Sequence, residues 1–182
     1  MTSTTYKWSI EDWHKLVESG LLEGKSVELL EGEIVNMSPE GISHSYTNRS
    51  VANHLRALLT NKAIISEAHP ITLDNSEPEP DIAVVRLPET IYRHHHPYPE
   101  DIYWLVEISY KTLKIDLEQK PQTYARNGIS EYWVIDLINK KLIVHTQPNN
   151  NGYNQVQEFT RGTVTSQSFP KIAIALEKIL LF

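Results

Sequence analysis

Cysteine is absent from the 182 residues, which excludes a disulfide framework, a zinc–thiolate cluster and a cysteine nucleophile. Any metal must therefore be held by oxygen or imidazole. Long apolar runs are missing too: none approaches the roughly 20 residues that span a membrane, and the start, Met1-Thr-Ser-Thr-Thr, has no basic end followed by an apolar stretch. These absences predict a cytoplasmic protein with no membrane association. Asn48-Arg49-Ser50 matches a glycosylation acceptor, but without a secretion signal the match is read as chance. Positive charge is in deficit, with 17 Lys and Arg against 23 Asp and Glu and a formal charge of −6. That balance does not suit a protein that coats nucleic acid, because phosphate neutralisation by Lys and Arg supplies most non-specific affinity. It does leave room for local contact with one phosphodiester, where a small basic patch stands beside carboxylates whose charge a metal offsets. The plainer reading is that net charge keeps the protein soluble.

The length suits one core better than two, so residues 1–182 are expected to form a single domain. Ser9 followed by Asp12, with Ile10, Trp13, Leu16 and Val17 at helical spacing, predicts a short helix over 9–19 closed by Gly20. Val27–Met37 reads as a hairpin turning at Glu31-Gly32. A helix follows over Ser43–Thr60, its apolar stripe made of Tyr46 or Thr47, Val51, Leu55, Leu58 and Leu59. Strands are predicted at Ala63–Leu73, Asp81–Arg86 and Ile102–Ile108. The last is so uniformly apolar that both sheet faces should be covered, with helices on either side. A helix over Asp116–Asn127 should stop at Gly128, followed by strands at Glu131–Asp136, Leu142–Thr146 and Gly152–Thr160 and an apolar tail from Ile172 that docks back on the body. The Pro- and His-rich stretch Pro88–Asp101 is read as a mobile excursion that covers the acids Asp81 and Glu107, since it joins the strands Asp81–Arg86 and Ile102–Ile108 that carry them.

Pro80-Asp81 opens one strand and Glu107 closes a later one. If those strands are antiparallel neighbours, the two carboxylates meet at one sheet edge, with facing Cβ atoms roughly 4.5–5.5 Å apart. Such a pair repels itself unless a cation lies between, and hard divalent ions such as Mg²⁺ take oxygen ligands. The competing reading has Asp81 merely ending a loop and Glu107 facing solvent; against it stands the apolar setting Trp-Leu-Val-Glu-Ile-Ser. Asp116, Lys120 and Tyr124 recur every four residues and form one helical stripe. A lysine there stands beside the acids or lies on an ordinary solvated face. His94-His95-His96 invites a zinc reading, but adjacent residues in an extended loop point different ways. Tyr103-Trp104 and Tyr132-Trp133 offer rings that stack on bases, yet both pairs sit in apolar strands, and core packing is expected for at least one of each.

Taken together, Glu28-Leu-Leu-Glu-Gly-Glu-Ile-Val-Asn-Met-Ser-Pro39, His44, Glu79-Pro-Asp-Ile-Ala-Val-Val85, Val106-Glu-Ile-Ser109, Lys120-x-x-x-Tyr124 and Gly128-Ile-Ser-Glu-Tyr-Trp-Val-Ile-Asp136 resemble the Uma-type restriction-endonuclease-like family of the PD-(D/E)XK nuclease superfamily. The resemblance implies an α/β fold with a mixed central sheet flanked by helices and a site like that of a Mg²⁺- or Mn²⁺-dependent nuclease. It makes Asp81 the motif aspartate and Glu107 the second acid. It makes Glu28 a further metal ligand and His44 the histidine before the helix. Where the pattern calls for Lys two residues after the second acid, this chain has Ser109. Lys120, oriented by Tyr124, is the candidate replacement, with Lys111 behind it, and replacing Lys120 should remove turnover while sparing the fold.

The leading expectation is a divalent-metal-dependent DNA endonuclease or related phosphodiesterase. The alternative is a non-catalytic nucleic-acid-binding or protein-interaction module that keeps the fold, which the acidic charge and Ser109 both permit. A third reading is a metallohydrolase of small phosphorylated molecules. Convergence of Glu28, Asp81, Glu107 and Lys120 separates the first two. A homodimer is expected by analogy with enzymes that cut both strands of a two-fold substrate.

Overall fold

The computed structural model describes residues 5–110 and 112–181; Lys111, the second candidate lysine, lies outside them. Ser9 Oγ accepts the Asp12 N–H at 3.1 Å, satisfying one of the donors a helix leaves free at its start, and α1 (Ile10–Glu18) follows. It buries Trp13. The hairpin β1 (Val27–Leu30) and β2 (Glu33–Asn36) turns on Glu31 and Gly32 with φ of 53° and 75°. Two left-handed central residues are what a two-residue turn between twisted strands requires. Gly32 is further fixed by proximity, since a Cβ there would lie 2.9 Å from Lys7 Cβ.

The central sheet has six strands in the order β3-β4-β5-β6-β7-β8: β3 (Ile64–Glu67), β4 (Ile82–Val85), β5 (Ile102–Ser109), β6 (Glu131–Asp136), β7 (Lys141–Asn149) and β8 (Gly152–Phe159). The β5–β6 pair is parallel, and the other neighbours are antiparallel. A parallel pair needs a crossover over one face. Here the crossover holds a π-helical segment, Ile115–Gln119, that runs directly into α3 (Lys120–Arg126). The wide turn, in which Lys120 N–H donates to Ile115 C=O, sits immediately before Pro121. Pro121 has no N–H to offer the preceding turn, and its ring crowds that turn's carbonyl.

Alternation along β5 assigns its residues to two faces. Trp104, Val106 and Ile108 pack with Val51, Leu55 and Leu59 of α2 (Ile42–Leu58) and with Ile174, Leu176 and Ile179 of the tail. Leu105 packs on the other side with Tyr124 and Ile129 at the end of the crossover and with Tyr132 and Val134 of β6. The expectation of helices on both faces is thus met, and the tail docks as expected. A two-stranded pair, β9 (Thr163–Val164) with β10 (Ile174–Ala175), completes the strands. No helix among the described residues is long and apolar enough to cross a membrane.

One expectation changes, and two that named alternatives are resolved by the structure. The strand foreseen over Ala63–Leu73 stops at Glu67, because Ala68 turns left-handed at φ 47° and Pro70 removes a donor; Ile71 and Leu73 are buried without belonging to a strand. Thr47, not Tyr46, faces inward from α2. Trp104, Tyr132 and Trp133 are all buried, with Trp104 and Trp133 centroids 5.5 Å apart, so these rings belong to the core and are not surfaces for bases.

Candidate metal and phosphodiester site

The site is built where β4 begins and β5 ends. Ile82 pairs with Val106 in antiparallel register, so the residues next to them, Asp81 and Glu107, come side by side as expected. Both lie on the face that Leu105 shares with the crossover. Asp81 Oδ2 accepts the Ile108 N–H at 2.6 Å and stands 3.1 Å from His44 Nε2. Glu107 is buried, and its Oε1 accepts from Lys120 Nζ at 2.7 Å and from Tyr124 OH at 3.0 Å. Asp116, one helical turn before Lys120, lies 3.8 Å from Nζ and accepts from Thr112 Oγ1 at 2.5 Å. Glu28 on β1 accepts the Glu79 N–H at 3.1 Å.

These side chains line one cleft of about 110 Å³ that contains Glu28, His44, Asp81, Glu107 and Lys120. The four residues whose convergence separates the readings therefore do converge. Tyr124 stands behind the cleft on Glu107 and is not part of its lining. Glu40, Glu79 and Asp116 also line it. Asp116 belongs to the stripe foreseen with Lys120, whereas little in the sequence points to Glu40, four residues before His44, or to Glu79.

So many acids in one place move the titrations. Burial pushes the Glu107 carboxyl well above the usual carboxylate range; Lys120 opposes this, and Asp81 and Asp116 add to it. For Lys120, burial works against the charge, but Glu107, then Glu28 and Asp116, outweigh it and raise the pKa, so Nζ stays an ammonium. Burial is likewise the main cause that holds the Tyr124 hydroxyl protonated, followed by Glu107 and Glu28. At His44 burial favours the neutral ring, yet the hydrogen bond and charge of Asp81, with Glu40 and Asp116, carry the pKa upward. Glu79 is raised by burial and then by Glu28.

The donor set suits a hard or borderline cation. Among the described residues, one ligand atom from each of Glu40, His44 and Asp81 lies within 4.8 Å of the others; Glu28, Asp81 and Glu107 do not form such a group. Among the described residues, the side-chain hydrogen bonds of both acids fall on one oxygen each, Oδ2 of Asp81 and Oε1 of Glu107. Ser109 stands two residues beyond Glu107 on the same face, fully buried, and its Oγ has no hydrogen-bond partner among the described residues. Lys120 supplies to Glu107 the cation that Ser109 cannot.

The excursion Pro88–Asp101 does not cover this cleft. It joins Val85 to Ile102, which pair with each other at the end of β4 and β5 opposite Asp81 and Glu107, and none of its residues lines the cleft. His94, His95 and His96 line a separate cavity with His14 and Glu77, and they belong to no three-ligand group among the described residues.

A six-stranded mixed sheet flanked by helices, with an acid pair at adjoining strand ends and a lysine from the crossover, defines a restriction-endonuclease-like α/β protein. The chain matches the family model described as Uma2, "Putative restriction endonuclease", over residues 10–177, and it belongs to that family. The crystal structure of a "putative nuclease" from Anabaena variabilis is similar in fold, with a TM-score of 0.71 over 95% of this chain and 97% of that one at 15% sequence identity. No curated protein sequence matches the chain.

Proposed function

We propose that the protein is a divalent-metal-dependent endonuclease of the PD-(D/E)XK type, hydrolysing phosphodiester bonds of DNA. The observation that carries this reading is the arrival of Glu28, Asp81, Glu107, Lys120 and His44 in one cleft from β1, the start of β4, the end of β5, the crossover and α2. Ordinary surface residues have no reason to bury so much like charge together. Asp81 and Glu107, with Glu28, Glu40 and His44 beside them, are the residues that would hold Mg²⁺ or Mn²⁺. Such an ion, when bound, polarises a phosphoryl oxygen and offsets the acids' mutual repulsion.

The chain's own groups divide the remaining work. Lys120 places a fixed ammonium beside Glu107, where negative charge on a phosphoryl group would grow as the reaction proceeds. Tyr124 donates to the same Oε1 and so sets the Glu107 rotamer without touching substrate. His44 has Nε2 against Asp81 Oδ2, and its buried Nδ1 has no hydrogen bond among the described residues. That atom lies 3.7 Å from Glu40 Oε2 and is available to hold or pass a proton within the cleft.

A binding module is the second reading, supported by Ser109 at the motif lysine's place and by the ion pair that already occupies Glu107 Oε1. Plasmid nicking in Mn²⁺ separates the two. The parent protein should nick and Asp81→Asn should not. A parent that binds DNA yet never nicks it would put the module first. A homodimer, proposed by analogy, would place two such clefts on opposite strands.

A further inference from the structure

Two grooves leave the acid cleft, and they differ in charge. One shares Glu79 with the cleft and continues past Glu77, Glu23 and Lys25; its carboxylates outnumber its single lysine, which disfavours a polyanion. The other shares Ser38, Glu40, His44 and Thr112 with the cleft and reaches Tyr110, enclosing about 180 Å³. Beyond Tyr110 it opens into a space of about 420 Å³ lined by Ile42, Tyr46 and Leu137 among others. Along this second path Glu40 is the sole carboxylate among the described lining residues, and Glu40 belongs with His44 and Asp81 to the three-ligand group that would hold a cation. Its two tyrosine rings and the Ile42 side chain are open to solvent: Tyr110 is 51% exposed, Tyr46 57% and Ile42 93%.

An exposed aromatic surface continuous with a phosphodiester cleft, on the side with fewer carboxylates, has one fitting occupant on that strand, namely its bases. We propose that Tyr110, together with Tyr46, is a stacking platform for unpaired bases next to the phosphodiester in the cleft. The substrate is then a single-stranded polynucleotide, or a duplex carrying an unpaired end or flap. A base inside a duplex already has both faces covered by its neighbours, so only an unpaired one lies flat on a tyrosine. Stacking on aromatic side chains tolerates any sequence, because every base has a π-face. The inference rests on the nuclease reading for the identity of the strand, and it adds the form that strand takes.

The test is anisotropy of a fluorescein-labelled DNA single strand, and of the blunt duplex made from it, with the full chain in Ca²⁺, a cation that also takes oxygen ligands. The single strand should bind more tightly than the duplex. Tyr110→Ala and Tyr46→Ala should each weaken single-strand binding by on the order of tenfold, with Tyr110→Phe near the parent. Both rings are half exposed, so the melting temperatures should hardly move. Equal single-strand affinity in parent and alanine variants overturns the proposal, as does a parent that prefers the duplex. A self-association seen by sedimentation, dissolved by the alanine changes while oligonucleotide binding persists, overturns it too and assigns the face to a second copy of the chain. Cleavage in Mn²⁺ is scored separately. The predicted binding pattern without any cutting removes the enzyme reading and keeps the platform, whereas cutting with tyrosine variants that bind like the parent does the reverse.

Discussion

Lys120 Nζ lies 2.7 Å from Glu107 Oε1 across thirteen sequence positions, and both side chains are buried. Removing one partner of such a pair leaves an uncompensated buried charge, which typically costs about 3–5 kcal/mol. The expectation that replacing Lys120 spares the fold therefore gives way. Lys120→Met should destabilise strongly in urea unfolding, and adding Glu107→Gln should restore much of the loss. A single variant as stable as the parent would show that Glu107 simply takes up a proton. Activity comparisons at position 120 are then best made with Lys120→Arg, which keeps the charge but not the geometry.

Asp81 belongs to the three-ligand group with Glu40 and His44, whereas Glu107 already has a cation on Oε1. Calorimetry with Mn²⁺ should accordingly show a larger loss of affinity for Asp81→Asn than for Glu107→Gln, and a clear loss for Glu40→Gln. Unchanged affinity in Asp81→Asn would remove the metal from this cleft.

His145 sits buried on β7, its Nδ1 3.3 Å from the Tyr132 carbonyl and its ring 5.3 Å from the Tyr132 ring centroid. Burial lowers its pKa below the ordinary 6.5, and the Tyr132 carbonyl opposes this only in part. The folded form therefore binds fewer protons than the unfolded one, and acid favours unfolding. Its contribution should be complete above 6.5 and fall as the pH drops below that value toward the depressed folded one. His145→Gln should flatten this part of the stability profile measured by urea unfolding from pH 8 to pH 5. An unchanged slope would assign the acid sensitivity elsewhere.

The tip of the β1–β2 hairpin is tied to α3 through Glu31, which pairs with Arg126 and accepts from Thr123 Oγ1 at 2.6 Å. Arg126 is partly exposed, so Arg126→Ala should cost no more than about 1 kcal/mol. Its larger effect should be local, as faster amide exchange over Val27–Asn36 and weaker Mn²⁺ binding through a less constrained Glu28. Unaltered exchange in that hairpin would mean that its other contacts, among them Gly32 N–H with Asn75 C=O and Glu31 N–H with Ser76 Oγ, hold it without Arg126.

Much of this was legible in the residues. The Glu31-Gly32 turn, the apolar run of β5 and the Gly128 stop (φ 75°) each obey local rules, and the elements lie close to where those rules put them. The meeting of Asp81 with Glu107 needed one further assumption, antiparallel neighbours, which the register satisfies. Other features depend on tertiary placement. Nothing in Glu40 or Glu79 sets them apart from solvated glutamates until α2 and the hairpin are in position. The excursion's distance from the acids follows from which ends of β4 and β5 it joins, a matter of direction and not of composition. The π-turn before Pro121 is foreshadowed only by a proline near a helix start, where proline is ordinarily harmless.

The parallel pairing of β5 with β6 has a consequence for how this architecture can vary. A chain leaving Ser109 must travel back over the acid-bearing face before it can enter β6, so the return path passes Glu107 whatever its sequence. A cation at an inward position of that path reaches the carboxylate without help from the strand. The strand is thereby released from carrying a long charged side chain in its tightly packed end, and position 109 can be as small as serine. Homologous chains should trade the lysine between strand and crossover while the acids stay where they are.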